Sequence, residues 1–287
     1  MTSNDSNPAF SNPPHADRDE IRRTFDLFYR QGGVRELRAL RCKPKGRGKP
    51  FTSAGCFDAV APLVDEVMRL DREHAPEGTY FTLNPLKPEL MARANPNRAT
   101  DYAEMTAADG DVDHRECILI DFDPKRARGI SANDDELAKA SECMTAARAL
   151  LGTYGWPEPV VCLSGNGYHL LYWVALPNDD DARELVRRVL TKLQGSIATE
   201  FVDVDQSVFN AGRITKVYGT VARKGAHMSR PGSIAQLNPT EFYQFVSRPI
   251  GFRRSDLADR RRDTGRAMWD IHRFYRAKRA RRDNQGP

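Results

Sequence analysis

The chain has little of what staples, threads or templates a protein. Its five cysteines (Cys42, Cys56, Cys117, Cys143 and Cys162) are scattered with no C-x-x-C pair, and its six histidines form no H-x-x-x-H. Zinc-site spacings are thereby excluded, and reduced thiols in a cytoplasmic setting are expected. No apolar run reaches the roughly 18 residues that suggest a membrane span, and the polar start does not read as a signal peptide, so no membrane association is expected. No repeat of 20–50 residues is visible. Gly46-Arg47-Gly48-Lys49-Pro50 lacks the first glycine and the Ser/Thr of a Walker A loop.

What is present is a chain of 287 residues, long enough for one large domain or two small ones with a real core. Lys and Arg number 44 against 39 Asp and Glu, a formal charge of +5. The excess is concentrated: residues 253–283 hold twelve Arg/Lys and five Asp, a composition suited to an anionic polymer or to a solvated helix face.

Residues 1–15, rich in Ser, Asn and Pro, read as a disordered start. Asp17 with Glu20 predicts a capping box for a helix showing Ile21, Phe25 and Phe28 on one side, stopped by Gly32-Gly33. Val34 to Leu40 reads as a strand and residues 41–54 as a basic loop able to touch phosphate. Gly55-Cys56-Phe57-Asp58 then leads into a helix with Val60, Leu63, Val64, Val67 and Leu70 at helical spacing. The strand Thr79 to Leu83 ends at Asn84-Pro85. About 30 polar residues follow, reaching Asp111-Val112-Asp113, which no apolar strand leads into.

Ile118-Leu119-Ile120-Asp121-Phe122-Asp123-Pro124 is the stretch around which the rest is arranged. Side chains alternate along a strand, so Asp121 and Asp123 share a face, and Pro124 ends the run. Paired carboxylates repel unless a cation lies between them, and Mg²⁺ and Mn²⁺ favour such oxygen donors. Ser131 and Asp134 are expected to cap the next helix, with Leu137, Ala140, Met144, Ala147 and Leu151 inward and Gly152 at its end. Two strands, Val160 to Ser164 and Tyr168 to Val174, flank Asn166-Gly167, a hairpin signal, and the second strand carries His169. A helix opened by Asp179 to Asp181 buries Leu185, Val189, Leu190 and Leu193 and ends at Gly195. The strand Phe201 to Asp205 sets Asp203 and Asp205 on one face, and either is placed to join the first pair. Asn210, Arg213, Lys216, Arg223 and Lys224 follow it closely. Asn238-Pro239 caps another helix, and a last basic helix over 255–280 carries Trp269, Phe274 and Tyr275.

The order strand, helix, hairpin, helix, strand from Cys117 onward predicts an α/β (α+β) domain with helices on one side of its sheet. A second α/β unit precedes it, and the site is expected in the cleft between them. The expected organisation is a disordered 1–15, a catalytic domain over 16–250 (units 16–116 and 117–250) and a basic helical tail over 251–287.

Over residues 34–235 the chain resembles the archaeo-eukaryotic primase superfamily, in particular the primase-polymerases of phages and plasmids. Three ordered motifs carry the likeness. They are Asp121-Phe122-Asp123; Ser164-Gly165-Asn166-Gly167-Tyr168-His169; and Val204-Asp205 through Asn210, followed by Arg213, Lys216 and Tyr218-Gly219-Thr220. Tyr80-Phe81-Thr82-Leu83-Asn84-Pro85 looks like the strand and turn ahead of the first motif. The resemblance implies a primase catalytic core, an RRM-like half packed on a second α/β half. It implies that Asp121, Asp123 and Asp205 bind two Mg²⁺ or Mn²⁺ ions. His169 would contact the phosphates of an incoming NTP or dNTP, in a pocket shaped by Ser164, Gly165, Asn166 and Gly167. Asn210, Arg213 and Lys216 would hold triphosphate or template, and Arg223, Lys224 and Arg230 would touch nucleic acid. The implied activity is template-directed nucleotidyl transfer, starting or extending primers on single-stranded DNA during replication of a mobile element. A separate helicase or replication initiator would be its partner. Where close relatives carry Arg-Pro-His-Arg, this chain has Arg230-Pro231-Gly232-Ser233. Two other readings stand beside this one: a metal-dependent nuclease using the same carboxylates, and a single-strand-binding replication accessory with an inactive site.

Overall fold

The computed structural model describes residues 15–29, 33–127, 129–224, 227–229, 231–235 and 250–251. The expected disordered start, the helix after Asn238-Pro239 and the basic tail helix lie outside the described residues, as does Arg230. No described helix is long and apolar enough to cross a membrane.

Helix α1 (Arg18–Phe28) opens as the sequence predicts, with the Asp17 side chain accepting from the backbone of Asp19 and Glu20. Glu20 does not close the box but reaches Ile234 N instead. Strand β1 (Arg35–Cys42) pairs antiparallel with β2 (Phe51–Phe57), so the basic loop is shorter than 41–54 and spans only the hairpin between them. Phe51 and Phe57 start and end a strand that the basic residues before it had obscured. Helix α2 (Val60–His74) and strand β3 (Gly78–Thr82) follow, then β4 (Thr100–Asp101) inside the long segment before β5. That segment is not a free loop. Leu86, Leu90, Ala107 and Val112 build a small core with Val34 and Ala211.

Strand β5 (His114–Pro124) begins earlier than the apolar run suggests. Helix α3 (Asp134–Thr153) is capped by Asn133, boxed with Glu136, and not by Ser131 or Asp134; it runs through Gly152. Strands β6 (Val160–Leu163) and β7 (Tyr168–Pro177) form the expected hairpin. Helix α4 (Asp180–Ile197) passes through Gly195, and β8 (Val202–Val204) follows. The chain continues with β9 (Ile214–Lys216), the ribbon β10 (Arg223–Lys224) and β11 (His227–Met228), then β12 (Ser233–Ile234) and β13 (Ile250–Gly251).

The protein is mixed α/β with two antiparallel sheets, ordered β4-β2-β1-β3-β9 and β12-β6-β7-β5-β8, while β13 adds to β7 in parallel. Strand β9 crosses from the second half of the chain to pair with β3 in the first sheet. Helix α1 lies between the sheets: Phe28 meets Phe81 of β3 edge-on at 4.8 Å and Trp173 of β7 at 5.5 Å. Truncating such a fully buried ring costs about 3–5 kcal/mol. Beside it the buried Arg35 donates to Phe28 O and Leu83 O and pairs with Glu116 of β5, tying α1 and both sheets together. Arg35 lies next to a glycine pair and gives no sequence signal of this role.

Candidate active site

On β5 and β7, Asp121 stands directly opposite His169. Directly paired residues project to the same face, and His169 Nε2 lies 3.3 Å from Asp121 Oδ1. Asp123, two residues on, shares that face. Leu171 and Trp173 continue it into the core toward α1, while Ile118, Ile120, Phe122 and Tyr172 alternate to the opposite face, where Tyr172 meets Trp156 just after α3. The carboxylates therefore occupy the polar end of a face that is otherwise buried between the two sheets.

Strand β8 completes the group. Its Asp203 is the direct partner of Asp123, and Asp205 N donates to Asp121 O at 2.9 Å, so the ladder continues one step past the strand. Four carboxylates thus come from two adjacent strand ends. Three of them lean on a cation, Asp205 on Arg213 at 3.3 Å, Asp203 on Lys125 at 3.2 Å and Asp123 on Arg126 at 3.9 Å, while Asp121 faces the His169 ring. Asp203 also accepts from Gln194 of α4 at 3.0 Å. That separates the two candidates for a third ligand. Asp203 is held toward α4 and Lys125, whereas Asp205 faces Arg213 and caps the turn Gln206–Phe209. Among the described residues, no three His, Cys, Asp or Glu side chains converge as a ready metal sphere. The donor set still fits hard divalent ions, being carboxylate oxygens carried on paired strand ends.

The first sheet supplies the opposing wall. Strand β9 aligns Lys216 with Tyr80 of β3, and the Lys216 Nζ lies 5.8 Å from the Tyr80 ring centre. Burial raises the Tyr80 phenol above its ordinary pKa; Asp121 and Asp123 raise it further, and Arg213 pulls the other way. Tyr80 therefore feels the same carboxylates and the same arginine that the motifs bring together. Tyr218 follows β9, is fully buried, and places its hydroxyl 2.7 Å from His169 Nδ1. Burial holds this phenol well above its usual range, so it stays protonated beside the ring. With Nδ1 held by Tyr218, the Nε2 edge of the ring is the one turned toward Asp121.

The hairpin turn is a different device from the one Asn166-Gly167 predicts. Ser164 N donates to Gly167 O, and the left-handed residue is Gly165, at φ +95°, not Asn166. The Ser164 hydroxyl donates to Gly167 O at 3.1 Å, and Asn166 accepts from Ala132 N, anchoring the turn before α3. Gly167 is needed for close approach. A Cβ there would stand 2.3 Å from Phe122 O and 3.1 Å from Asp123 Oδ1.

The structure thus brings together Asp121, Asp123, Asp205, His169, Arg213 and Lys216, with the 164–167 turn alongside. Asn210 is turned elsewhere, its amide donating to Asp109 Oδ1 at 3.0 Å. Arg223 pairs with Asp71 of α2 at 2.7 Å and so belongs to the first sheet's helix side. Lys224 lies on β10, beyond that position. Asp111 is bound by Arg93 in the long segment, as befits a loop aspartate. Three residues of the site were not singled out from the sequence: Tyr80 and Tyr218, both inside motif segments, and Arg126, three residues after Asp123. Alternation along β3 places Tyr80 opposite Phe81, off the core face, and a tyrosine there was the available signal.

No family model and no curated protein matches the sequence. Among solved structures the chain is similar to primase RepB' (TM-score 0.41, 13% identity, covering 93% of this chain and 68% of that one). It is similar to the catalytic domain of primase RepB' in complex with initiator DNA (TM-score 0.40, 11% identity, 85% and 100%). It is also similar to the polymerase domain of Mycobacterium tuberculosis Ligase D in complex with DNA (TM-score 0.38, 14% identity, 90% and 89%). The mixed α/β fold with two antiparallel sheets is of the α/β (α+β) class that the order of elements predicts.

Proposed function

We propose that this protein is a primase-polymerase that joins nucleoside triphosphates on a single-stranded DNA template. One observation carries the reading. A D-x-D strand end, a histidine held by a buried tyrosine and a third carboxylate with its own arginine meet on one sheet face, opposite a lysine and a tyrosine of the other sheet.

In this reading the 3′ hydroxyl of a primer or first nucleotide attacks the α-phosphorus of the incoming nucleotide, and pyrophosphate leaves. Asp121, Asp123 and Asp205 would hold two Mg²⁺ or Mn²⁺ ions, which when bound activate the hydroxyl and stabilise the leaving oxygen. His169 would contact a phosphate oxygen through Nε2, its ring held in place by the Tyr218 hydroxyl at Nδ1. Arg213 and Lys216 supply positive charge where a triphosphate brings negative charge, and positioning of this kind accounts for most of phosphoryl-transfer catalysis. Gly167 of the Ser164–Gly167 turn brings backbone against β5 beside Asp123, and the turn would form one wall of the nucleotide pocket. In a replicating mobile element such an enzyme would work beside a separate helicase or initiator.

The test is synthesis on circular single-stranded DNA with Mg²⁺ or Mn²⁺ and labelled NTPs or dNTPs, without and then with an annealed primer. Labelled products that depend on Asp121 support the proposal. Loss of DNA without added nucleotides would make the protein a nuclease. DNA binding indifferent to EDTA, with no incorporation on either template, would make it a binding accessory.

A further inference from the structure

A second feature lies on the first sheet, away from the carboxylates. Tyr102 directly follows β4 and is 61% exposed, yet its ring is stacked on Phe51 at 4.2 Å with a 21° tilt. Its backbone is left-handed, at φ +59°, which a bulky side chain adopts only where its surroundings impose it. Those surroundings are visible on both sides. Asp101 pairs with Ser53 in the ladder, accepts from the Ser53 hydroxyl at 2.8 Å and lies 3.5 Å from His74. Ala103 N donates to Thr52 O at 2.9 Å. The residue between these two anchors is forced outward, and Phe51, itself edge-on to His74 at 5.1 Å, supports the inner face of its ring. The outer face is left to solvent.

Phe51 is also the residue at which the basic hairpin loop ends. Between Glu36 and Asp58 the chain has no acidic residue and six basic ones: Arg38, Arg41, Lys43, Lys45, Arg47 and Lys49. Arg41 is paired with Glu77 and Lys45 with Glu73, while exposed Lys43, Arg47 and Lys49 have no carboxylate partner among the described residues. One exposed carboxylate, Glu104, stands near the ring. An outward, preformed aromatic face at the foot of a loop carrying three uncompensated cations combines the two elements that hold single strands: stacking for bases and charge for phosphates.

We infer that Tyr102, on its Phe51 support, is a base-stacking platform that, with Lys43, Arg47 and Lys49, grips single-stranded nucleic acid outside the catalytic group. The inference rests on the reading of the chain as a primase-polymerase. It adds a surface that retains nucleic acid apart from the catalytic group: β4 is three strand spacings from β3, roughly 14 Å between strand axes.

The experiment measures binding of a fluorescent oligo-dT to the full chain by anisotropy over a salt series, alongside the synthesis assay on the same preparation. Tyr102→Gly removes the ring and relaxes the left-handed backbone, so its thermal midpoint should not fall. Its affinity should fall about 5- to 150-fold, the range of one aromatic–base stack. Tyr102→Trp should bind at least as tightly as the parent. Replacing Lys43, Arg47 and Lys49 by Gln should flatten the log–log salt slope by about 2, near 0.7 for each lost single-strand contact. Unchanged affinity in Tyr102→Gly, or an unchanged slope in the loop variant, overturns the inference. Synthesis with Tyr102-independent binding would remove the platform alone. Tyr102-dependent binding without any synthesis would keep the platform and remove the polymerase reading.

Discussion

Asp121 and His169 face each other across neighbouring antiparallel strands, with 3.3 Å between carboxylate oxygen and ring nitrogen. The relationship is set by register. A one-residue slip of β7 against β5 would send His169 to the helix-covered face and break the group. Asp121 cannot contribute without β7, nor His169 without β5.

Tyr218 fixes the histidine from behind. In Tyr218→Phe the Nδ1 atom loses its hydrogen-bond partner inside a buried site, at a cost of about 1–3 kcal/mol in stability. The ring is then no longer held in one orientation, and incorporation should fall about 10- to 100-fold, as for second-layer partners of catalytic groups. Steady-state incorporation with a urea melt on the same sample checks both. Full activity would mean that the ring needs no such anchor.

Gly167→Ala tests the approach of the hairpin to β5. The added methyl would lie 2.3 Å from Phe122 O, so the strands must part beside Asp123. Overpacking of this kind costs about 1–3 kcal/mol. The urea midpoint should drop and incorporation should drop more steeply than stability, because the displaced strand carries the carboxylate. An unaltered midpoint would show that the turn has room to move.

Asp205 and Asp203 should separate cleanly. Asp205→Asn removes the charge facing Arg213 and is expected to abolish incorporation. Asp203→Asn disturbs the Lys125 and Gln194 contacts at the edge of β8 and should leave incorporation within about threefold of the parent, in keeping with the small net effect of exposed ion pairs. The reverse order would exchange their roles.

Asp111 predicts a pH effect on the long segment before β5. Its hydrogen bonds from Arg93 and from Ala108 N hold the carboxyl below the ordinary range. A depressed carboxyl contributes stability above its unfolded pKa, and that contribution is lost as pH falls through the folded value. Proteolysis within 85–113 should therefore quicken below about pH 4, the ordinary aspartate range. Asp111→Asn should already be quick at pH 7, and equal cleavage rates for it and the parent would contradict the role of this anchor.

The elements were legible where periodicity was strong. The apolar stripes of α2, α3 and α4 and the alternation in β5 and β7 follow directly from burial on one face. Boundaries were less legible because tertiary contacts set them: Gly152 and Gly195 lie inside helices that their packing prolongs past a weak residue. Phe51–Phe57 was hidden behind a run of lysines, since charge next to a strand carries no period. Within the site, the residues that lie inside motifs were readable as types. Tyr80 and Tyr218 lie inside motif segments too, but their roles as neighbours of the carboxylates and of His169 come only from the fold, in which β9 crosses to pair with β3. Asn210 stays beside Arg213, whose N donates to its carbonyl, but its amide is engaged by Asp109, a contact from a segment a hundred residues away that no local pattern announces.

The central claim is that the Asp121, Asp123 and His169 group performs nucleotidyl transfer. Its most direct test is single-turnover incorporation of one labelled nucleotide on a primed template, comparing the parent chain with Asp121→Asn/Asp123→Asn and with His169→Gln. The account predicts extension by the parent, a loss of at least about a hundredfold in both variants, and thermal midpoints that show both to be folded. Extension by the carboxylate variant at the parental rate would place the chemistry elsewhere in the protein and contradict the account.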